Sequence, residues 1–218
     1  MFRLMDLFQK RAIVVWGITI LVAGLSIPLN NTVYAAEKPD AFEEYISYGN
    51  YFKCLLPKGW SRNEAPDSSR DASKVYGIEV YQGRSEHRIG ISVKYYAADN
   101  KLHKSAEKFI GTHSRPLFGG PETEGEKYGP VEEILIKGVK ARIFERERYD
   151  FEDHVYNPIS GRYYEPISPR KFSMVERFVV LPAKEGFYVL RFKASPDTVK
   201  SLEGRFQTVL NSFEPLIK

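Results

Sequence analysis

Ten residues, Glu145 to His154, hold six potential ligands: Glu145, Glu147, Asp150, Glu152, Asp153 and His154. Carboxylate oxygens with one imidazole suit a hard divalent cation such as calcium or manganese, provided they converge from separate backbone directions. Such a site could also support metal-assisted hydrolysis. The core of the set is Glu145, Glu147, Asp150, Asp153 and His154. Against it, Glu145 and Glu147 are two apart, which puts them on one face of a strand, and the run lacks the glycine-punctuated spacing of a calcium loop. Arg146 and Arg148 alternate with the glutamates, as in an exposed strand with paired charges.

Other chemistry is thinner. Cys54 is the only cysteine and falls in the apolar alternation Phe52, Cys54, Leu56, so it reads as a small buried hydrophobe and not a nucleophile. His87, His103 and His113 match no metal spacing and read as surface histidines. Gly120, Gly125 and Lys127 look superficially like a phosphate-cradling loop, but Glu126 stands where the lysine belongs. No Gly-x-Ser-x-Gly elbow is present. Residues 150–170 lack apolar periodicity and contain Tyr156, Tyr163 and Tyr164, which could form a partner-facing aromatic patch or pin the loop to a sheet.

These residues must be positioned by elements that the periodicity outlines. Val175–Leu181 and Phe187–Ala194 alternate with charges and flank a short turn at 182–186, predicting an antiparallel hairpin. Ser195-Pro196-Asp197 then starts a helix: an oxygen to cap free amides, a proline for the first turn and an acid for the dipole. Its stripe runs through Val199, Leu202, Phe206, Val209, Leu210 and Phe213. Upstream, Tyr51–Leu56 reads as a strand ending at Pro57-Lys58-Gly59 before a buried Trp60, and 63–73 as a loop. Residues 74–82 and 89–95 form a second hairpin, and 131–136 with 139–149 a third, split by Lys137-Gly138. A helix is predicted from a cap at Asp99 or Asn100, with Leu102, Ala106, Phe109 and Ile110 on one face and Gly111 near its end. The glycine- and proline-rich run 115–130 reads as a surface crossover, with a binding or gating loop as the alternative.

The 218 residues suit one domain plus an appendage. Net charge is +4, of which residues 1–36 hold +2, leaving +2 interleaved with acids: no nucleic-acid footprint. Lys10 and Arg11 precede the uncharged run 12–27, Pro28 and the small residues Ala35-Ala36, which together read as a secretory signal peptide over 1–36, with an uncleaved anchor as the alternative.

Tyr51-Phe52-Lys53-Cys54-Leu55-Leu56-Pro57-Lys58-Gly59-Trp60, Phe187-Tyr188-Val189-Leu190 and Val209-Leu210-Asn211-Ser212-Phe213 resemble the PsbP-like family and its bacterial DcrB-type relatives. The resemblance covers about 45–215 and implies an α+β fold, an α/β/α sandwich with a mainly antiparallel central sheet. It also implies accessory or interaction roles in exported proteins; photosynthetic members attach to photosystem II and help retain calcium and chloride. The expectation is a single domain over 37–218 with an excursion at 150–170. It is expected to be exported to the periplasm or beyond, to be no enzyme, to carry no cofactor except a possible divalent cation, and to bind an exported protein or envelope component. A lipid carrier would require an apolar cavity between helix and sheet.

Overall fold

A computed structural model describes residues 41–64, 73–83, 88–116, 120–121, 124–151, 155–157, 162–164 and 170–217. The signal-peptide expectation for 1–36 lies outside them.

The C-terminal hairpin is the spine. Strands β11 (Lys171–Ala183) and β12 (Gly186–Ala194) pair from Val175↔Ala194 to Ala183↔Gly186, a two-residue turn. Gly186 has φ +137°, and a Cβ there would sit 2.0 Å from the Tyr96 carbonyl oxygen, so only glycine allows the neighbouring strand this close. That neighbour is β5 (Ile89–Ala97), which pairs with β12 and with β4 (Val75–Gln82). On the other side β8 (Val139–Phe151) pairs with β11, and β6 (Lys127–Tyr128) and β7 (Glu132–Ile136) pair with successive stretches of β8. The β7–β8 turn is Lys137-Gly138 with φ +48° and +82°, the double left-handed conformation that a two-residue hairpin requires. β3 (Ser61–Glu64) closes the far edge, giving an eight-stranded antiparallel sheet in the order β3-β4-β5-β12-β11-β8-β6, with β7 on β8. β3 corrects the reading of 63–73 as loop throughout. All four of its residues are exposed, so no apolar alternation announced it.

One helix lies on each face. α2 (Pro196–Ser212) buries Phe206, Val209 and Leu210, and Phe213 just after it, against Val179, Leu190 and Phe192, with Phe206 stacked on Phe192 at 5.5 Å. Full burial of each such side chain contributes about 1.5–3 kcal/mol. The Ser195 oxygen does not cap a backbone amide as predicted: it bonds to the Thr198 hydroxyl at 2.8 Å.

The same face also receives a second sheet, β1 (Phe42–Ile46), β2 (Phe52–Pro57) and β13 (Glu214–Pro215). Phe52, Cys54 and Leu56 point into that core, as their alternation predicted, and Trp60 is buried with the Arg205 guanidinium 5.6 Å from its ring. The Tyr188 hydroxyl donates to the Tyr51 carbonyl at 2.8 Å, fastening the two sheets.

On the opposite face α1 is shorter than predicted, Ala106–His113, and buries only Phe109, against Tyr96, Phe144, Phe178 and Phe187. Leu102 is outside the helix and 60% exposed. The helix cap is Ser105, whose oxygen accepts from the Lys108 amide at 3.2 Å. Asn100 instead closes a turn of its own, accepting from the Leu102 and His103 amides at 3.1 and 2.7 Å. An Asx turn and a helix cap use the same side chain for the same task, so the two look alike in sequence. Gly111 is inside the helix, and Ser114 ends it.

Candidate functional site

The register of β8 decides where its carboxylates point. Odd-numbered residues of β8 face α2: Ala141 and Ile143 join the α2-side core. Glu145 and Glu147 follow them. Glu145 accepts from Arg177 Nε and Nη2 at 3.0 and 2.8 Å, and Arg177 also pairs with Glu203 on α2, so this arginine ties helix to sheet. Glu147 accepts from the Ser173 hydroxyl at 2.7 Å and Lys127 Nζ at 3.2 Å; the serine bond, then the lysine, hold its carboxyl below the ordinary range against partial burial. Asp150 belongs to the even-numbered set on the α1 face and pairs with Lys193 on β12. Burial opposes its charge, and Lys193 holds the carboxyl low regardless. Glu145 and Glu147 thus lie on the face opposite Asp150, while Asp153 and His154 fall outside the described residues. Among the described residues, no three His, Cys, Asp or Glu side chains stand where they could share one ion.

The α1 face carries a charge lattice that the sequence hid. Rows of paired residues step away from α1: first Tyr96 and Phe187, then Phe178 and Phe144, then Lys193, Glu176 and Arg146 across three strands. Glu176 has no exposed surface. Arg146 Nε donates to it at 2.7 Å and Arg191 Nη1 at 3.4 Å, while Arg148 Nε stands 3.1 Å away without hydrogen-bond alignment. Arg191 bridges onward to Glu79 at 3.2 Å. Burial works against the Glu176 charge, and Arg146, Arg191 and Arg148 together hold its carboxyl below the ordinary range. The nearby Lys94 amine is pushed down, chiefly by burial and then by Arg191. Glu176, Arg191 and Lys193 were visible as charges alternating with apolar residues. That pattern implied a solvated face, and the structure instead packs the charges on one another.

His103 and His113 also differ from the surface placement expected of them. His113 stacks on Phe109 at 4.0 Å between centroids and lies 5.2 Å from the His103 ring, which sits edge-on to Tyr96. His113 Nδ1 is 2.8 Å from the Phe109 carbonyl, which can only accept, so the proton is on Nδ1. Burial, with Arg146 and His103 adding to it, pushes His113 down to about 4. His87 is outside the described residues.

Within 150–170 the structure describes a separate strand pair. β8 and β11 stay paired to Phe151↔Lys171, and beyond them β9 (Val155–Asn157) pairs with β10 (Arg162–Tyr164), Tyr156 opposite Tyr163 and Tyr164 opposite Val155. Cys54 is buried, and its thiol is pushed up to about 12 by that burial.

No family model and no curated protein sequence matches the chain. Among solved structures it is similar to the solution structure of cyanobacterial PsbP (CyanoP) from Synechocystis sp. PCC 6803, with 12% identity, 80% of this chain and 92% of that one covered, and a TM-score of 0.42. It is also similar to PA94 from Pseudomonas aeruginosa, a protein of unknown function described as a putative regulator (9% identity, coverage 80% and 96%, TM-score 0.41). A third is a protein from Bacteroides thetaiotaomicron (10% identity, TM-score 0.40), of which this chain spans about half, 48%. The molecule is an α+β protein built mainly of antiparallel sheet with two helices among the described residues. Within those residues no helix is long and apolar enough to cross a membrane.

Proposed function

We propose that the chain is a non-enzymatic accessory domain of the cell envelope, exported by its N-terminal segment, which engages an exported protein or envelope component through the segment 150–170. The observation that carries this reading is the strand pair β9–β10, which follows the last β8–β11 pair in the chain and sets Tyr156 opposite Tyr163. A paired ribbon presents side chains at fixed spacing, and tyrosine combines contact area with a polar tip. At this end of β8, Glu147 and Asp150 are engaged in ion pairs with Lys127 and Lys193 inside the main sheet.

The test is crosslinking in intact cells of the full chain, beside a variant carrying Tyr156→Ala, Tyr163→Ala and Tyr164→Ala and one lacking residues 152–169. A discrete adduct formed by the parent and lost in both variants, at unchanged thermal stability, supports the reading. An adduct that survives in both defeats it. Mass spectrometry of the N-terminus of protein recovered outside the cytoplasm tests export, expected to begin close to residue 37.

A further inference from the structure

A groove of about 560 Å³ opens between α1 and the sheet edge formed by β7, β8 and the end of β11. That size is in the range, ~300–1,000 Å³, that holds small organic ligands. Its walls divide by chemistry. Ala106 and Ile110, one helical turn apart on α1, face Val180 and Pro182 of β11 and Val131 ahead of β7. Polar groups stand at Arg115, Glu107, Glu133, Lys140 and Arg142.

These charges are not equally free. Glu133 is held by Lys140 at 3.0 Å. Glu107 lies in the first turn of α1, where its own backbone amide and the Ser105 hydroxyl hold its carboxyl below the ordinary range. Arg115 is tied by Nε to the Gly111 carbonyl at 3.0 Å. Arg142 is exposed, and among the described residues it makes no hydrogen bond or ion pair. Its guanidinium thus stands in the groove next to an apolar wall, bonded to neither acid beside it, although its charge helps to hold the Glu107 and Glu133 carboxyls low.

Gly111 is a second, independent sign. It lines the groove from inside a helix, where glycine weakens the element, and its backbone needs no left-handed angle. An added Cβ would meet only the flexible end of Arg115, at 3.4 Å. Nothing in the packing requires glycine there. What its missing side chain does leave is room in the groove.

We infer that this groove binds a single-chain amphiphile with an anionic head, of the fatty carboxylate class: the head on Arg142, the tail along Ile110, Val131, Val180 and Pro182. A carboxylate matches the guanidinium fork in two parallel bonds, and the apolar wall is lost from water only if the ligand brings a tail. An apolar ligand without a charge would leave Arg142 partly desolvated and unpaired, and a cationic one would be repelled by it.

The experiment is calorimetric titration of the full chain with dodecanoate below its micelle concentration, beside dodecanol, dodecyltrimethylammonium and acetate. Saturable binding of dodecanoate is expected, with dodecanol about ten-fold weaker and no binding of the cation or of acetate. Arg142→Met keeps an unbranched apolar stem at an exposed position, removes the guanidinium, and should weaken dodecanoate about ten-fold. Gly111→Leu should remove binding while leaving the melting temperature equal or higher, which separates a filled groove from a damaged fold. No saturable binding by the parent, equal binding of the cationic surfactant, acetate binding as strong as dodecanoate, or undiminished binding in both variants each overturns the inference. None of these readouts involves the 150–170 segment, so its partner test stands or falls separately.

Discussion

Glu176 and Arg146 face each other across β11 and β8 and meet at 2.7 Å, the carboxylate wholly shielded from water. Arg191 from β12 and Arg148 from β8 complete a cage in which three guanidinium groups share one buried charge. Removing the anion leaves the cations together without it, the most costly way to break a buried pair. Glu176→Ala is therefore expected to lower stability by about 3–5 kcal/mol in urea denaturation. Glu176→Leu combined with Arg146→Met should recover part of that loss, because an apolar pair needs no desolvated charge. Equal loss in the single and double variants would show that the cage acts through something other than charge.

His113 has a pH consequence whose sign is fixed by its depressed pKa. The folded ring stays neutral down to about 4, while the unfolded ring protonates near 6.5. Between those values the unfolded chain binds the extra proton, so stability falls as pH drops from about 6.5 toward 4. The full effect has an upper limit of about 3 kcal/mol, reduced by the ring's partial exposure to solvent. His113→Phe, which keeps the stack on Phe109, should flatten this part of the melting-temperature profile. An unchanged slope would assign the titration elsewhere.

With its pKa pushed up to about 12 and its side chain buried, Cys54 should resist alkylation in the native protein at pH 8 and react readily in denaturant. Rapid labelling under native conditions would mean that the small β1-β2-β13 sheet opens locally far more easily than the main core.

α1 rests on one buried side chain. Phe109→Ala is expected to cost about 3–5 kcal/mol, whereas Leu102→Ser, at a position 60% exposed, should stay within about 0.5 kcal/mol. Chemical denaturation of the two variants checks this directly. A large loss at Leu102 would favour the longer helix that the sequence pattern suggests.

Calcium, manganese or zinc titrated into the parent and into Asp150→Ala and His154→Ala variants tests the carboxylate set. Because Glu145, Glu147 and Asp150 already hold cationic partners, the Asp150→Ala change should leave any heat unaltered. A parent signal lost in both variants would place a metal at this end of β8.

The sequence alone determined the local units: the β11–β12 hairpin, the α2 stripe through Phe206 and Val209, the Lys137-Gly138 turn and the buried face of β2. Each is written in residues a few positions apart, where side-chain period and turn chemistry act directly. The tertiary structure decided what those units meet. It set β12 beside β5, a hundred residues earlier in the chain, and moved β2 into a second sheet. It also sent Glu145 and Asp150 to opposite faces, and enclosed Glu176 and His113. Alternation states that a strand has two faces but not which of them is covered, or by what. A charge on the outer face of a strand reads the same whether water or three arginines lie beyond it, and only the assembled sheet distinguishes them.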